Sequence, residues 1–131
     1  MCDIKSKIKR AKESIVLVDP FVDETTITFL EQKGESVSVL VCSNNRLMVK
    51  ERNVRRRKCF KAGFNFIETQ LFRNAYMLVD NRFLYMLSRP LRYSDRRSFS
   101  YIQIMDIAEI NRVRKLVGES RMKVRRQYRH F

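Results

Sequence analysis

The ten residues from Phe72 to Asn81, FRNAYMLVDN, are where chemistry is first to be looked for in this chain. The stretch reads as an apolar strand that closes on an acid, Asp80. On a strand, residues i and i+2 share a face, so such a segment can deliver two side chains together into one cleft. Here that pair is Arg73 and Ala75. A guanidinium can grip a phosphate with two parallel hydrogen bonds, but it neither deprotonates nor attacks. Alanine offers no chemistry at all. Nothing else in the chain has the spacing of a reactive group. The one histidine, His130, is second from the end, and the three cysteines Cys2, Cys42 and Cys59 lack CxxC spacing, so neither a metal site nor a disulfide framework is expected. Asp80, Asp95 and Asp106 fall on different expected elements, which argues against a carboxylate-held metal.

The elements that must position this strand follow from the apolar pattern. Ile4, Ile8 and Ala11 at helical spacing, behind Asp3 as N-cap, predict a first helix with Lys5, Lys7, Lys9 and Arg10 on its other faces. SIVLVDPF is a short buried strand stopped at Pro20. DETTITFLEQKG is a second helix, opened by Asp23 and closed by Gly34. ESVSVLVCSN, β-branched and almost continuously apolar, has the character of an inner parallel strand, with Cys42 as a buried small hydrophobe. This β-α-β order implies an α/β sheet with a right-handed crossover. A charged helix is expected from Asn45 to Ala62, ended by Gly63. Strands then follow at FNFIETQLF, FRNAYMLVDN, RFLYMLSRP and SFSYIQIMD, with a tight turn at Asp80-Asn81. Asp106 and Glu109 predict a capping box for a last amphipathic helix carrying Ile107, Ile110, Val113 and Leu116. A length of 131 residues, 44% hydrophobic, suits one domain.

In this order the segments resemble the phospholipase D-like superfamily, from about Ile4 to Val117. IKRAKESIVLVDPFVDETTITFLEQKGESVSVLVCSN is similar to that family's opening helix, strand, helix and strand. FRNAYMLVDNRFLYMLSRPLRYSDRRSFSYIQIMD is similar to its signature region: a His-x-Lys/Arg-x4-Asp strand, a hairpin, a Gly-x-Ser turn and a further strand. The resemblance implies an α/β fold, a phospholipase D-like mixed β-sheet flanked by helices in a single domain over residues 1–117. Residues 118–131 are then a basic C-terminal tail or an extension of the last helix. In the family the histidine is the nucleophile that takes up the phosphoryl group. The cation two residues on holds phosphate oxygens, the aspartate supports fold and histidine, and two motif copies face each other across one site. Carried over, Arg73 stands in the histidine's place, Ala75 in the cation's, Asp80 in the aspartate's, Ser88 in the glycine's and Pro90 in the serine's. Loss of a covalent nucleophile costs on the order of a millionfold in rate. The family's metal-independent phosphodiesterase activity is therefore not expected, and Asp80 reads as a turn residue.

Charge points to what can remain. With 28 Lys and Arg against 14 Asp and Glu the net charge is +14, which attracts polyanions, nucleic acid first and anionic membrane surface second. Lys50, Arg52, Arg55, Arg56, Arg57, Lys58 and Lys61 share the charged helix, opposed there only by Glu51. Arg89, Arg92, Arg96 and Arg97 follow the degenerate turn, with Tyr93, expected to be core, among them. Arg121, Lys123, Arg125, Arg126 and Arg129 make the third cluster. The expected contacts are Arg73, Arg89, Arg92, Arg96, Arg97, Arg55, Arg56 and Lys58. No base-reading motif is visible, so contact should be dominated by backbone charge. The reading is a catalytically degenerate domain that binds nucleic acid or another phosphate polymer, with no cofactor. Two others stay open: a nuclease or phosphodiesterase completed by a partner subunit, and a non-catalytic dimerisation or regulatory module, with a homodimer through the paired-motif face. No apolar run approaches the roughly 18 residues of a transmembrane helix and MCDIKSKIKR lacks a signal-peptide core, so a cytoplasmic location is expected.

Overall fold

Residues 4–43, 56–69 and 72–129 are described by the computed structural model, with side chains as far as residue 122. Helix α1 (Ile4–Arg10) leads to β1 (Ser14–Val18), α2 (Glu24–Leu30) and β2 (Ser38–Ser43). A helix α3 follows, described over 56–61. Strands β3 (Asn65–Glu68), β4 (Ala75–Val79) and β5 (Phe83–Leu87) come next. A 3₁₀ turn (Leu91–Tyr93), β6 (Tyr101–Ile104) and α4 (Ile107–Arg129) complete the order. Asp3 and residues 45–55 of the expected charged helix, Arg55 among them, lie outside the described residues.

The strands form one mixed sheet in the order β3-β2-β1-β4-β5-β6. β1 pairs parallel with β2, and β2 with β3, while β4 runs antiparallel to both β1 and β5. The central strands are apolar on both faces because both faces are covered. Ile15, Leu17, Val39, Val41, Ala75, Met77 and Val79 face one core with α1, α2 and Cys59 of α3. Val16, Val18, Leu40, Cys42, Tyr76 and Leu78 face a second core with Val113 and Val117 of α4. The α/β architecture expected from the sequence is thus observed, as three layers with one helix on one side.

Local signals account for several ends. Asp23 caps α2 by accepting from the Thr26 N–H at 3.1 Å, and the Thr26 hydroxyl accepts from the Asp23 N–H at 3.2 Å, a reciprocal pair that satisfies two end groups. Gly63, at φ 79°, ends α3. Its N–H donates to the Phe60 carbonyl at 3.0 Å and that of Phe64 to Cys59 at 2.8 Å, the paired bonds of a Schellman end that glycine permits. Between β4 and β5, Asp80 and Asn81 both take positive φ (54° and 57°) and the Arg82 N–H returns to the Val79 carbonyl at 3.1 Å. That is the mirror-image turn whose twist suits a hairpin.

Other expectations are corrected. α2 ends at Leu30, short of Gly34, because Gln32 and Lys33 turn back with short-range bonds to Phe29 and Leu30. Asp106 does cap α4, accepting from Ala108 N–H at 3.0 Å, but the capping box is not closed. Glu109 instead binds Arg112 at 2.6 Å and accepts from the Tyr76 hydroxyl at 3.3 Å. A nearby cation and phenol outcompete one backbone amide for the carboxylate. Ile107, expected in the apolar stripe, is 72% exposed because the helix meets the sheet-face core only from Ile110 onward. α4 continues past Val117 to Arg129, so the last stretch is helix.

Candidate functional site

The sheet has two ends, and the residues singled out from the sequence separate between them. The C-terminal ends of β1, β2 and β3 share an edge with the start of β4 and the end of β5, since Val18 lies opposite Tyr76 and Ala75 opposite Leu87. Strand order changes direction between β1 and β4, which in open α/β sheets is where ligand loops diverge. Arg73, Ser88, Arg89, Pro90 and Arg92 all belong to this edge. Asp80 does not: it sits past the other end of β4, roughly 20 Å along the extended chain.

Arg73 and Asn74 are exposed on the approach to β4. With Asp19, Thr69 and Phe72, Arg73 lines a recess of about 10 Å³. Ligand pockets for nucleotides run to roughly 300 Å³ and above, so a polymer would lie across this edge and not enter it. Among the described residues Arg73 makes no hydrogen bond or ion pair. Ala75, which the sequence resemblance aligns with the phosphate-holding cation, is buried in the core beneath α1 and α2. The Ser88 hydroxyl accepts from the Ser100 N–H at 2.8 Å, while the Ser88 N–H donates to the Ser100 carbonyl at 2.9 Å. This closes the loop between β5 and β6. Pro90 caps the 3₁₀ turn, its carbonyl accepting from Tyr93 N–H at 3.0 Å.

The arginines after the turn are not equivalent. Arg92 is half-buried, its guanidinium 3.8 Å from the Phe21 ring centre and 4.4 Å from that of Tyr93. It donates to Asp23 at 3.2 Å and also to the Tyr93 hydroxyl. A guanidinium held by a carboxylate, a phenol and two rings has little left for an external phosphate. Arg89 and Arg96 flank the same tyrosine at 4.8 and 5.8 Å. Arg89 also donates to Ser98 at 2.5 Å. Arg89, Arg96 and Arg97 are exposed. Tyr93, half-buried, packs on the core by its body and collects guanidiniums around its rim. On α3, Lys58 pairs with Glu24, and Arg56 lies 3.9 Å from Glu68. The acids opposing that helix come from α2 and β3, which its own sequence does not display.

Asp19, directly after β1, is a functional-edge residue that the motif pattern does not single out. Its side chain is 1% exposed. It accepts from the Phe21 N–H at 2.8 Å and from the Leu91 N–H at 2.8 Å, tying the loop after β1 to the 3₁₀ turn. Burial pushes its carboxyl up to about 6, against the pull of those two amides. The signal available in the sequence was an acid between a continuous apolar run and Pro20, the position where a strand turns out of a sheet.

Asp80 accepts from three successive backbone amides, those of Lys12 at 3.0 Å, Glu13 at 2.7 Å and Ser14 at 3.1 Å. Its own N–H donates to the Ser14 carbonyl at 2.8 Å. Burial acts to raise its pKa, but the three amides prevail and hold the carboxyl below the usual range. Asp80 therefore clamps the α1–β1 loop to the β4–β5 turn. Among the described residues no three His, Cys, Asp or Glu side chains group together, and no helix is long and apolar enough to cross a membrane.

No protein-family model matches the sequence, and no curated protein matches it. Solved structures do. One is that of TrmBL2, described as an archaeal chromatin protein with a novel mode of DNA binding, at TM-score 0.58 and 14% identity over 92% of this chain. The match covers 48% of the TrmBL2 chain, so this chain spans about half its length. Another is NucT from Helicobacter pylori, at TM-score 0.64 and 9% identity, covering 90% of this chain and 84% of that one. At these identities the likeness is one of fold: a single small α/β domain built on a six-stranded mixed sheet.

Proposed function

We propose that this protein is a phospholipase D-like domain that has lost phosphoryl-transfer chemistry and binds nucleic acid along the strand-end edge. The observation that carries the reading is the pair of motif positions. On the family resemblance the nucleophile's place falls to Arg73, exposed and without a partner among the described residues, over a recess of about 10 Å³, and the cation's place to the buried Ala75. A phosphate could be gripped there and could not be attacked. The net charge of +14 supports it, as does a fold similar to that of an archaeal chromatin protein reported to bind DNA. Arg73, Arg89, Arg96 and Arg97 are the contact set, while Arg92 and Asp23 hold the platform. Contacts of this kind reach the phosphate backbone and leave sequence largely unread.

The test uses the full chain with duplex DNA and with RNA of matched length, titrated with salt, alongside hydrolysis of a generic phosphodiester. Salt-sensitive binding without hydrolysis is the expected result. No binding at low salt, or hydrolysis by the pure protein without metal, defeats the reading. A second reading, a dimerisation module, is favoured by one observation: Ile102, Met105 and Ile107 are exposed together along edge strand β6 and the start of α4. A concentration-independent monomer in sedimentation would remove it.

A further inference from the structure

The outer side of β6 is an open strand edge, since β6 ends the sheet order. The Ser88 N–H donates to the Ser100 carbonyl at 2.9 Å, and the register continues from Leu87 opposite Tyr101 to Leu84 opposite Ile104. Antiparallel bonding alternates, so residues 100, 102 and 104 bond towards β5, and the N–H and C=O of Gln103 turn outward, past the last strand. Such an edge is a template for another strand, and proteins usually blunt it with charge, proline or a bulge. β6, YIQI in unbroken register, has none of these. The opposite edge strand, β3, carries Glu68 with Arg56 of α3 at 3.9 Å from it.

The residues around the edge narrow the partner. Ile102, Met105 and Ile107 are exposed, and Ile104 packs only partly against the core under α4. Ile102 and Ile104, two apart, share that face of the sheet. Exposed Arg97 precedes the strand and exposed Asp106 follows it. An antiparallel partner of the same sequence sets the basic flank of each copy beside the acidic flank of the other, whereas a parallel one sets like beside like. With a two-fold axis at Gln103, Gln103 opposes Gln103 of the second copy, Ile102 opposes its Ile104, and Tyr101 its Met105. Opposed residues share a face, so four isoleucines make one apolar row on the α4 side. Moving the axis to Tyr101 sets the isoleucines against Ser98 and Ser100, and moving it to Met105 sets them against Asp106 and Ala108.

We infer that β6 pairs antiparallel with β6 of a second copy of this chain, about a two-fold axis at Gln103, so that one continuous sheet runs through both copies. This pairing rests on the dimerisation reading above and adds to it the strand, the register and the partner. β6 starts at the strand-end edge, where Tyr101 lies opposite Leu87, so antiparallel pairing turns the two edges away from each other. Pairing through the motif face would bring them together. Arg97 and Asp106 at the rim set orientation more than strength. Five guanidinium donors let Arg97 serve that acid and a phosphate together.

The test is sedimentation equilibrium of the full chain from about 1 to about 100 μM, with thiol cross-linking by a short bismaleimide in a Cys2→Ser background. A dimer with a dissociation constant in the micromolar range is expected of so short a seam. Gln103→Pro should weaken it at least about tenfold and keep the thermal midpoint of the dilute protein, because the lost N–H serves no bond to β5. Ile102→Lys, at a position 57% exposed, should weaken it by a similar factor. Gln103→Cys should cross-link to its own copy, since Cα atoms of such a pair stand about 5.5 Å apart. Glu35→Cys, exposed in the turn before β2, should not. A monomer at every concentration overturns the pairing together with the dimerisation reading and leaves the edge to a strand of another protein. A dimer that both substitutions leave intact, or in which Gln103→Cys cross-links no better than Glu35→Cys, overturns the β6 pairing alone.

Discussion

Removing the Asp80 carboxylate tests whether this acid clamps the α1–β1 loop to the β4–β5 turn. The series Asp80→Asn, Asp80→Gly and Asp80→Ala separates the contributions, because the backbone there has φ of 54°. Asparagine and glycine tolerate that conformation, and alanine pays roughly 1 kcal/mol for it. Three backbone donors reach the carboxylate, at 2.7 to 3.1 Å to its Oδ1 atom. Hydrogen bonds to a charged acceptor contribute about 1.5–3 kcal/mol each when shielded. Here the group is half-exposed, so water can replace part of each bond and about half or less should survive. Asp80→Gly is then expected to cost about 2–4 kcal/mol, Asp80→Ala about 1 kcal/mol more, and Asp80→Asn about half the glycine value, since an amide oxygen still accepts. At this chain length 3 kcal/mol corresponds to roughly 10 °C in Tm. Urea and thermal unfolding measure it. The pH arm follows from the direction of the shift: the folded carboxyl lies below its unfolded value. Its stabilisation is fully present above the unfolded pKa and is lost as pH falls through the folded one. The gap between wild type and Asp80→Asn should therefore be full at neutral pH and close only in strongly acidic solution. An Asp80→Gly protein within about 0.5 kcal/mol of wild type, or a gap that persists at low pH, would refute the clamp.

Three further outcomes are expected. If Arg73, Arg89, Arg96 and Arg97 each cover one phosphate of duplex DNA, the log–log salt slope is about −3.6, and affinity falls about 150-fold between 50 and 200 mM salt. Arg73→Ala should reduce that to about −2.7 and about 40-fold, whereas Arg92→Ala, which breaks the contacts to Asp23 and Tyr93, should lower Tm more than it changes the slope. Asp19 has a folded pKa of about 6, above its unfolded value, so the stability it contributes is complete below the unfolded pKa and is lost as pH rises through 6. Relative to wild type, Asp19→Asn should gain about 2 kcal/mol between about pH 4 and about pH 7 in paired thermal melts. Burial pushes the Cys42 thiol up to about 12 and that of Cys59 up to about 11, so both should stay unalkylated in native protein near pH 8 and react fully in urea, read by peptide mass.

How much of this was legible in advance can be argued element by element. β1, β2 and β4 were readable because a strand covered on both faces must be apolar at every position, and short runs such as SIVLV and AYMLV state that directly. The hairpin turn was readable because positive φ at two adjacent positions selects Asp80 and Asn81. Gly63 announced the end of α3 for the same reason. That Arg73 cannot act as a nucleophile was readable from its residue type, since a guanidinium is none wherever the fold puts it.

What only the tertiary structure decided is which of those charges remain available. Glu24 and Glu68 neutralise cations of α3 from neighbouring elements, and Asp23 with Phe21 holds Arg92 from across 69 residues of chain. Asp80 finds its donors 68 residues upstream at Lys12, and Glu109 leaves its own helix cap for Arg112 and Tyr76. Backbone conformation is chosen within a few residues, where steric rules apply, so the sequence determined the strands and turns. Ion pairs and hydrogen bonds are chosen by whichever groups packing brings within about 3 Å, and that distance exists only after the chain has folded.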